Sequence, residues 1–174
     1  MKRWAFSVTL AFVLLLGLVI GWLAHSGSGA GNGSASTPTT YPTTPALALG
    51  QPFPYTGGLV ITLTQVVSPA APSVAGLSAP PGQHYVAVWF TARDTATSAV
   101  TVDADNWTSI VGSDDITYSW NAEELANCPD NPGGTTIDPG TFTKICSDFQ
   151  LPNGVTPSRV IFSPNDSAVA SWNV

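Results

Sequence analysis

The sequence predicts an all-β domain, an antiparallel β-sandwich, preceded by one N-terminal apolar helix. Three observations carry this. Short β-branched and aromatic runs with a period of two recur through residues 47–174. Turns rich in Pro, Gly, Ser and Asn separate them. No stretch after residue 46 sustains a helical period. Seven or eight such strands bury their apolar faces by stacking two sheets.

Lys2 and Arg3 precede an uncharged run, residues 4–24. As a helix, this run reaches roughly 30 Å, the thickness of a hydrocarbon core. Its length exceeds the usual apolar region of a cleavable signal peptide, which favours an uncleaved anchor. Ser28-Gly29-Ala30 offers small residues to a peptidase, and cleavage there would make the protein secreted. With the two cations retained in the cytoplasm, the remainder is extracytoplasmic. Residues 25–46 are Gly/Ser-rich, then Thr/Pro-rich, and lack the apolar residues that offset ordering entropy. They read as a tether with a reach of roughly 25 Å.

The domain proper spans residues 47–174. Leu59, Ile61 and Leu63 alternate with Val60, Thr62 and Thr64, the pattern of a strand with one buried face. Residues 68–82 read as a loop. Residues 85–93, Tyr-Val-Ala-Val-Trp-Phe-Thr-Ala-Arg, are apolar on both faces, as a covered central strand requires. A short strand follows at 100–102. Residues 107–111 and 116–120 flank Gly112-Ser-Asp-Asp115, a hairpin. Residues 121–127 suit one helical turn. The strand at 141–151 places Thr143, Ile145, Ser147, Phe149 and Leu151 on one face and Cys146 on the other. Strands at 159–162 and 168–172 complete the set.

The order of these landmarks resembles the bacterial telokin-like, immunoglobulin-like extracellular domain family of unknown function, whose general fold a secreted immunoprotective antigen shares. The resemblance spans residues 47–174. It rests on Leu49-Gly50, the strand 59–64, the run from Gly82 to Asp94, the hairpin within 107–118, Ile137-Asp-Pro-Gly140 and Phe149-Gln-Leu-Pro152. Departures are Asp94 where the family shows Asn, Thr141 where an acid is common, Asp114-Asp115 in the hairpin, and the two cysteines. The resemblance implies an immunoglobulin-like sandwich at the cell surface and carries no catalytic residues with it.

Beyond the leader only Arg93, Lys144 and Arg159 are cationic, against eleven carboxylates. Such a surface repels phosphate backbones, so nucleic acid is not an expected partner. Cys128 and Cys146 enclose 17 residues, and outside the cytoplasm they are expected to pair. A bridge of that size stabilises by about 3 kcal/mol. Redox pairs need closer Cys-x-x-Cys spacing.

Asp103-Ala-Asp105-Asn106 matches part of a calcium loop without its terminal Glu, so solvated turns are the expectation and no metal or other cofactor is assigned. His84 is the domain's one histidine, and no Gly-x-Ser-x-Gly elbow accompanies it. Trp89, Trp107, Trp120 and Trp172 belong mainly to the core, with Trp107 and Trp120 as candidate contact anchors beside turns. Asn32-Gly-Ser, Asn106-Trp-Thr and Asn165-Asp-Ser match glycosylation sequons, and the expectation is that they are chance matches.

The expected function is a non-catalytic binding module at the cell envelope, its partner an envelope or extracellular protein or ligand, with the site on end loops or a sheet edge. A hydrolase of envelope polymers acting through acidic loop residues, and a structural envelope component, are the alternatives.

Overall fold

The alternation at residues 59–63 becomes strand β2 (Leu59–Val67), and the apolar run that follows becomes β3 (Gln83–Asp94). A computed structural model describes residues 46–73, 78–120, 125–128, 134–164 and 169–174. The expected leader at 1–24, nearly all of the tether and the sequons at Asn32 and Asn165 lie outside them. The remaining elements are β1 (Pro52–Pro54), β4 (Val100–Val102), α1 (Ala104–Trp107), β5 (Thr108–Gly112), β6 (Thr117–Ser119), β7 (Thr135–Ile137), β8 (Phe142–Pro152), β9 (Pro157–Phe162) and β10 (Ala170–Asn173).

Two four-stranded antiparallel sheets form the sandwich, ordered β1-β2-β3-β8 and β10-β9-β5-β6, and β4 pairs with β7 separately. β3 is central, paired to β2 on one side and along nearly its whole length to β8 on the other. A register shift between Leu63 and Gln65 marks a bulge in β2, where the Thr64 hydroxyl donates to the Trp89 carbonyl at 3.0 Å. β1 is an edge strand whose Pro-Phe-Pro sequence removes two ladder donors, which blunts that edge. Leu47 closes the edge of β10: its N–H donates to the Ser171 carbonyl at 2.7 Å, and its carbonyl accepts from Asn173 at 3.1 Å.

The core lies between the sheets. Leu59, Ile61, Leu63, Val86, Val88, Phe90, Ala92, Ile145, Phe149 and Leu151 face Ile110, Val160, Phe162, Ala170 and Trp172. Trp172 is wholly buried and its indole N–H donates to the Gln51 carbonyl at 2.9 Å, so the polar handle is satisfied at no cost to packing. Tyr55 is buried beside Phe162 and donates to its carbonyl at 2.8 Å. Burial pushes the Tyr55 hydroxyl well above its usual pKa, with a bond from the Ala170 backbone opposing it.

The sandwich predicted from the sequence is present, with differences in detail. The described residues hold ten strands rather than seven or eight. β1 and β7 are three residues each, too short to display an alternation. Trp107 ends a helical turn rather than opening a strand. Asp103 caps that turn, and a helix of four residues leaves no period to read. The helical turn expected at 121–127 falls partly outside the described residues. Residues 125–128 form a tight turn instead, closed by Cys128 N–H to the Leu125 carbonyl at 3.0 Å.

Candidate functional site

Side chains alternate across β3, so the residues not in the core stand on the outer face of the first sheet. The register builds that face row by row. Tyr85 stands opposite Gln150. Val67, Ala87 and Asp148 form the next row, then Gln65, Trp89 and Cys146, then Pro52, Thr62, Thr91 and Lys144. The last row is Pro54, Val60, Arg93 and Phe142.

The first two rows and the Cys146 end of the third are covered. Cys128 and Cys146 form a disulfide, with Cα atoms 5.3 Å apart. Leu125 and Cys128 pack on Tyr85, Ala87 and Cys146, with Val67, Ala70, Ala79 and Trp89 at the margin. Backbone bonds tie the cover together: Ala126 N–H to the Ala71 carbonyl at 2.9 Å and Ala70 N–H to the Tyr85 carbonyl at 2.8 Å. The cover is therefore a two-segment flap, residues 68–73 with 125–128, riveted by one cystine.

The last two rows are open. Phe142 is 69% exposed, the largest exposure of any large apolar side chain among the described residues. Its cross-strand partner Arg93 is exposed, as is Lys144 on the neighbouring row, while Val60, Thr62 and Thr91 are half-buried. Neither cation forms an ion pair with a described residue. Diagonal neighbours of this kind stand about 7–8 Å apart, within reach of long side chains. Two of the domain's three cations thus converge beside its most exposed aromatic ring.

The residues singled out from the sequence are placed as follows. Trp107 and Trp120 are half-buried against the core. Trp107 stands edge-on to Phe162, with ring centroids 6.0 Å apart, and Trp120 donates to the Asn106 side-chain oxygen at 3.2 Å. The Asp103 carboxylate is occupied by Asn106, accepting from its backbone N–H at 3.3 Å and its side-chain amide at 2.8 Å. No cluster of three or more His, Cys, Asp or Glu side chains suited to a metal ion occurs among the described residues. On the hairpin, Tyr118 donates to Asp114 at 2.7 Å, which holds the carboxyl below its ordinary range. Burial, reinforced by that bond, pushes Tyr118 up to about 12.

The structure pairs His84 with a serine that the sequence did not single out. Ser68 Oγ lies 3.1 Å from His84 Nε2 on the rim where β2 ends and β3 begins. Among the described residues no carboxylate, the group that orients a catalytic base, bonds the other ring nitrogen. Asp94 is wholly buried: one carboxylate oxygen accepts from the Ala96 N–H at 2.7 Å and the other has no partner among the described residues.

Arg93, Lys144 and Phe142 escaped the sequence reading because β3 and β8 are about fifty residues apart in the chain. A signal was there. Once Cys146 is set on the outer face, period two sends Lys144 and Phe142 to the same face.

No protein-family model matches the chain, and no curated protein matches it. Solved structures do. A secreted protein from Mycobacterium tuberculosis, MPT63, superposes with TM-score 0.54 at 16% identity over 78% of this chain and 100% of its own. An uncharacterized β-sandwich protein from Clostridium difficile 630 gives 0.52 at 14% identity, over 79% and 99%. A conserved hypothetical protein from Bacillus anthracis gives 0.50 at 13% identity, over 71% and 93%. The chain shares the β-sandwich fold of these proteins.

Proposed function

We propose that the chain is a non-catalytic, extracytoplasmic binding module of immunoglobulin-like type, and that its contact surface is the open half of the outer face of the first sheet. The observation that carries this is the contrast across one face. Most of three rows lies beneath a cystine-riveted flap, and the other two carry an exposed phenylalanine beside cations that form no ion pair with a described residue. Aromatic side chains and arginine are enriched at contact surfaces. Three features support the extracytoplasmic location: the apolar run behind Lys2 and Arg3, the disulfide, and the likeness to a secreted sandwich protein. The partner is an envelope or extracellular component, and the N-terminal run would hold the domain at the membrane.

The test is co-sedimentation of labelled full-length protein with cell-envelope fragments. Phe142→Asp is expected to lower the bound fraction, whereas Ile116→Asp, on the hairpin of the other sheet, is expected to leave it unchanged. Equal loss in both variants, or in neither, rejects this face as the contact surface.

A further inference from the structure

The open rows have a chemistry more specific than exposure. The domain carries eleven carboxylates and three cations, yet Arg93 and Lys144 fall on adjacent rows of one sheet face. Arg159, the third, is on β9 in the other sheet. Arg93 presents a planar fork suited to a carboxylate, and Lys144 a mobile point charge beside it. Phe142, 69% exposed and directly opposite Arg93, offers an apolar ring surface with no polar group of its own. Half-buried Thr91 adjoins both cations in the register, opposite Lys144 and two residues before Arg93, with Thr62 beyond it on β2. The nearest exposed acid along the chain, Asp138 in the turn before β8, forms no ion pair with either cation.

We infer that this face binds an acidic, carboxylate-bearing glycan, a deduction resting on the contact surface proposed above. Charge complementarity selects an anion. The exposed ring selects a ligand with an apolar face, which the C–H side of a pyranose supplies. The Thr91 hydroxyl, beside both cations in the register, matches sugar hydroxyls. The domain's overall acidity does not forbid this, because charges beyond about 8 Å are largely screened at physiological ionic strength. Recognition therefore depends on the two local cations and weakens as salt rises.

The experiment titrates full-length protein in non-ionic detergent with oligomeric polygalacturonate, with neutral dextran and poly-L-glutamate in parallel. Polygalacturonate is expected to bind, dextran not at all, and poly-L-glutamate at least tenfold more weakly. Arg93→Gln with Lys144→Gln is expected to weaken polygalacturonate binding by roughly tenfold or more, and Phe142→Ser by a similar factor. Near-UV circular dichroism confirms that these exposed substitutions leave the fold intact. Equal affinity for poly-L-glutamate means that the face reads charge alone and overturns the glycan assignment in favour of an acidic peptide. No polygalacturonate binding at physiological ionic strength overturns it as well. Either failure is separable from failure of the contact surface itself. If Phe142→Asp still lowers envelope co-sedimentation while the double glutamine variant does not, the surface stands and its ligand is not anionic.

Discussion

Trp89 and Cys146 stand directly opposite one another across β3 and β8, on the row where the covered half of the outer face meets the open half. Cys146 belongs to the flap's satellite core, and Trp89 is half-buried at its margin. The cystine thus decides how much of this face solvent reaches.

Replacing both cysteines by serine is expected to cost about 3 kcal/mol, the loop-closure value for a bridge of this span. Neither cysteine belongs to the main core, so the sandwich should still fold cooperatively. Urea unfolding followed by tryptophan fluorescence checks both points. A lower midpoint with an unchanged slope is the expected result, with Trp89 more open to quenching in the native state.

Gly57 and Gly58 both adopt positive φ, at +91° and +90°, in the turn before β2. A Cβ on Gly57 meets nothing within 4 Å, whereas one on Gly58 falls 2.6 Å from the Ala96 backbone nitrogen. Gly57→Ala should therefore cost only the backbone strain, about 1–3 kcal/mol. Gly58→Ala should cost roughly 1–3 kcal/mol more, because the Ala96 backbone has to move. That movement would also stretch the bond from the Ala96 N–H to Asp94. Equal melting temperatures for the two variants would contradict the close approach.

Much of the sandwich could be read from residue patterns, and the reason is physical. Leu59, Ile61 and Leu63 repeat at the strand period because one sheet face is buried, and the same logic put Cys146 opposite Ile145 and Phe149. The contact surface could not be read in this way. Period two gives each strand's faces, but only the register shows that Arg93 meets Phe142 rather than another residue of β8. Chain distance likewise hid the Ser68–His84 pair and the bond from Trp120 to Asn106. α1 and β7 were missed for a simpler reason. A one-turn helix and a three-residue strand are set by capping and by pairing, and neither leaves a period.

Trp107 and Trp120 should behave as structural residues. Trp107→Ala removes a half-buried ring packed on Phe162 and is expected to cost about 2–4 kcal/mol, toward the low end for a large-to-small change. Trp120→Phe keeps most of the packing and loses one hydrogen bond to Asn106, for about 0.5–1.5 kcal/mol. Thermal denaturation measures both. In the envelope co-sedimentation assay, either variant is expected to match the wild type at temperatures where it is fully folded.

Asp114 and Tyr118 give the hairpin a pH window. The Asp114 carboxyl is lowered chiefly by the hydroxyl bond from Tyr118, so its contribution to stability is complete above the unfolded carboxyl pKa of about 3.9. That contribution is lost as pH falls through the depressed native value. Tyr118 is raised to about 12 by burial and by Asp114. Its contribution is complete below the unfolded phenol pKa of about 10 and is lost as pH rises through the native value. The pair should therefore support the hairpin evenly between those limits and weaken outside them. Because the pair is exposed, the stability change should be small, and the titration itself is the sharper readout. Tyr118→Phe removes the bond, so carbon-detected NMR should show the Asp114 side chain titrating higher than in the wild type. An unchanged Asp114 titration would mean that the hydroxyl contact does not persist in solution.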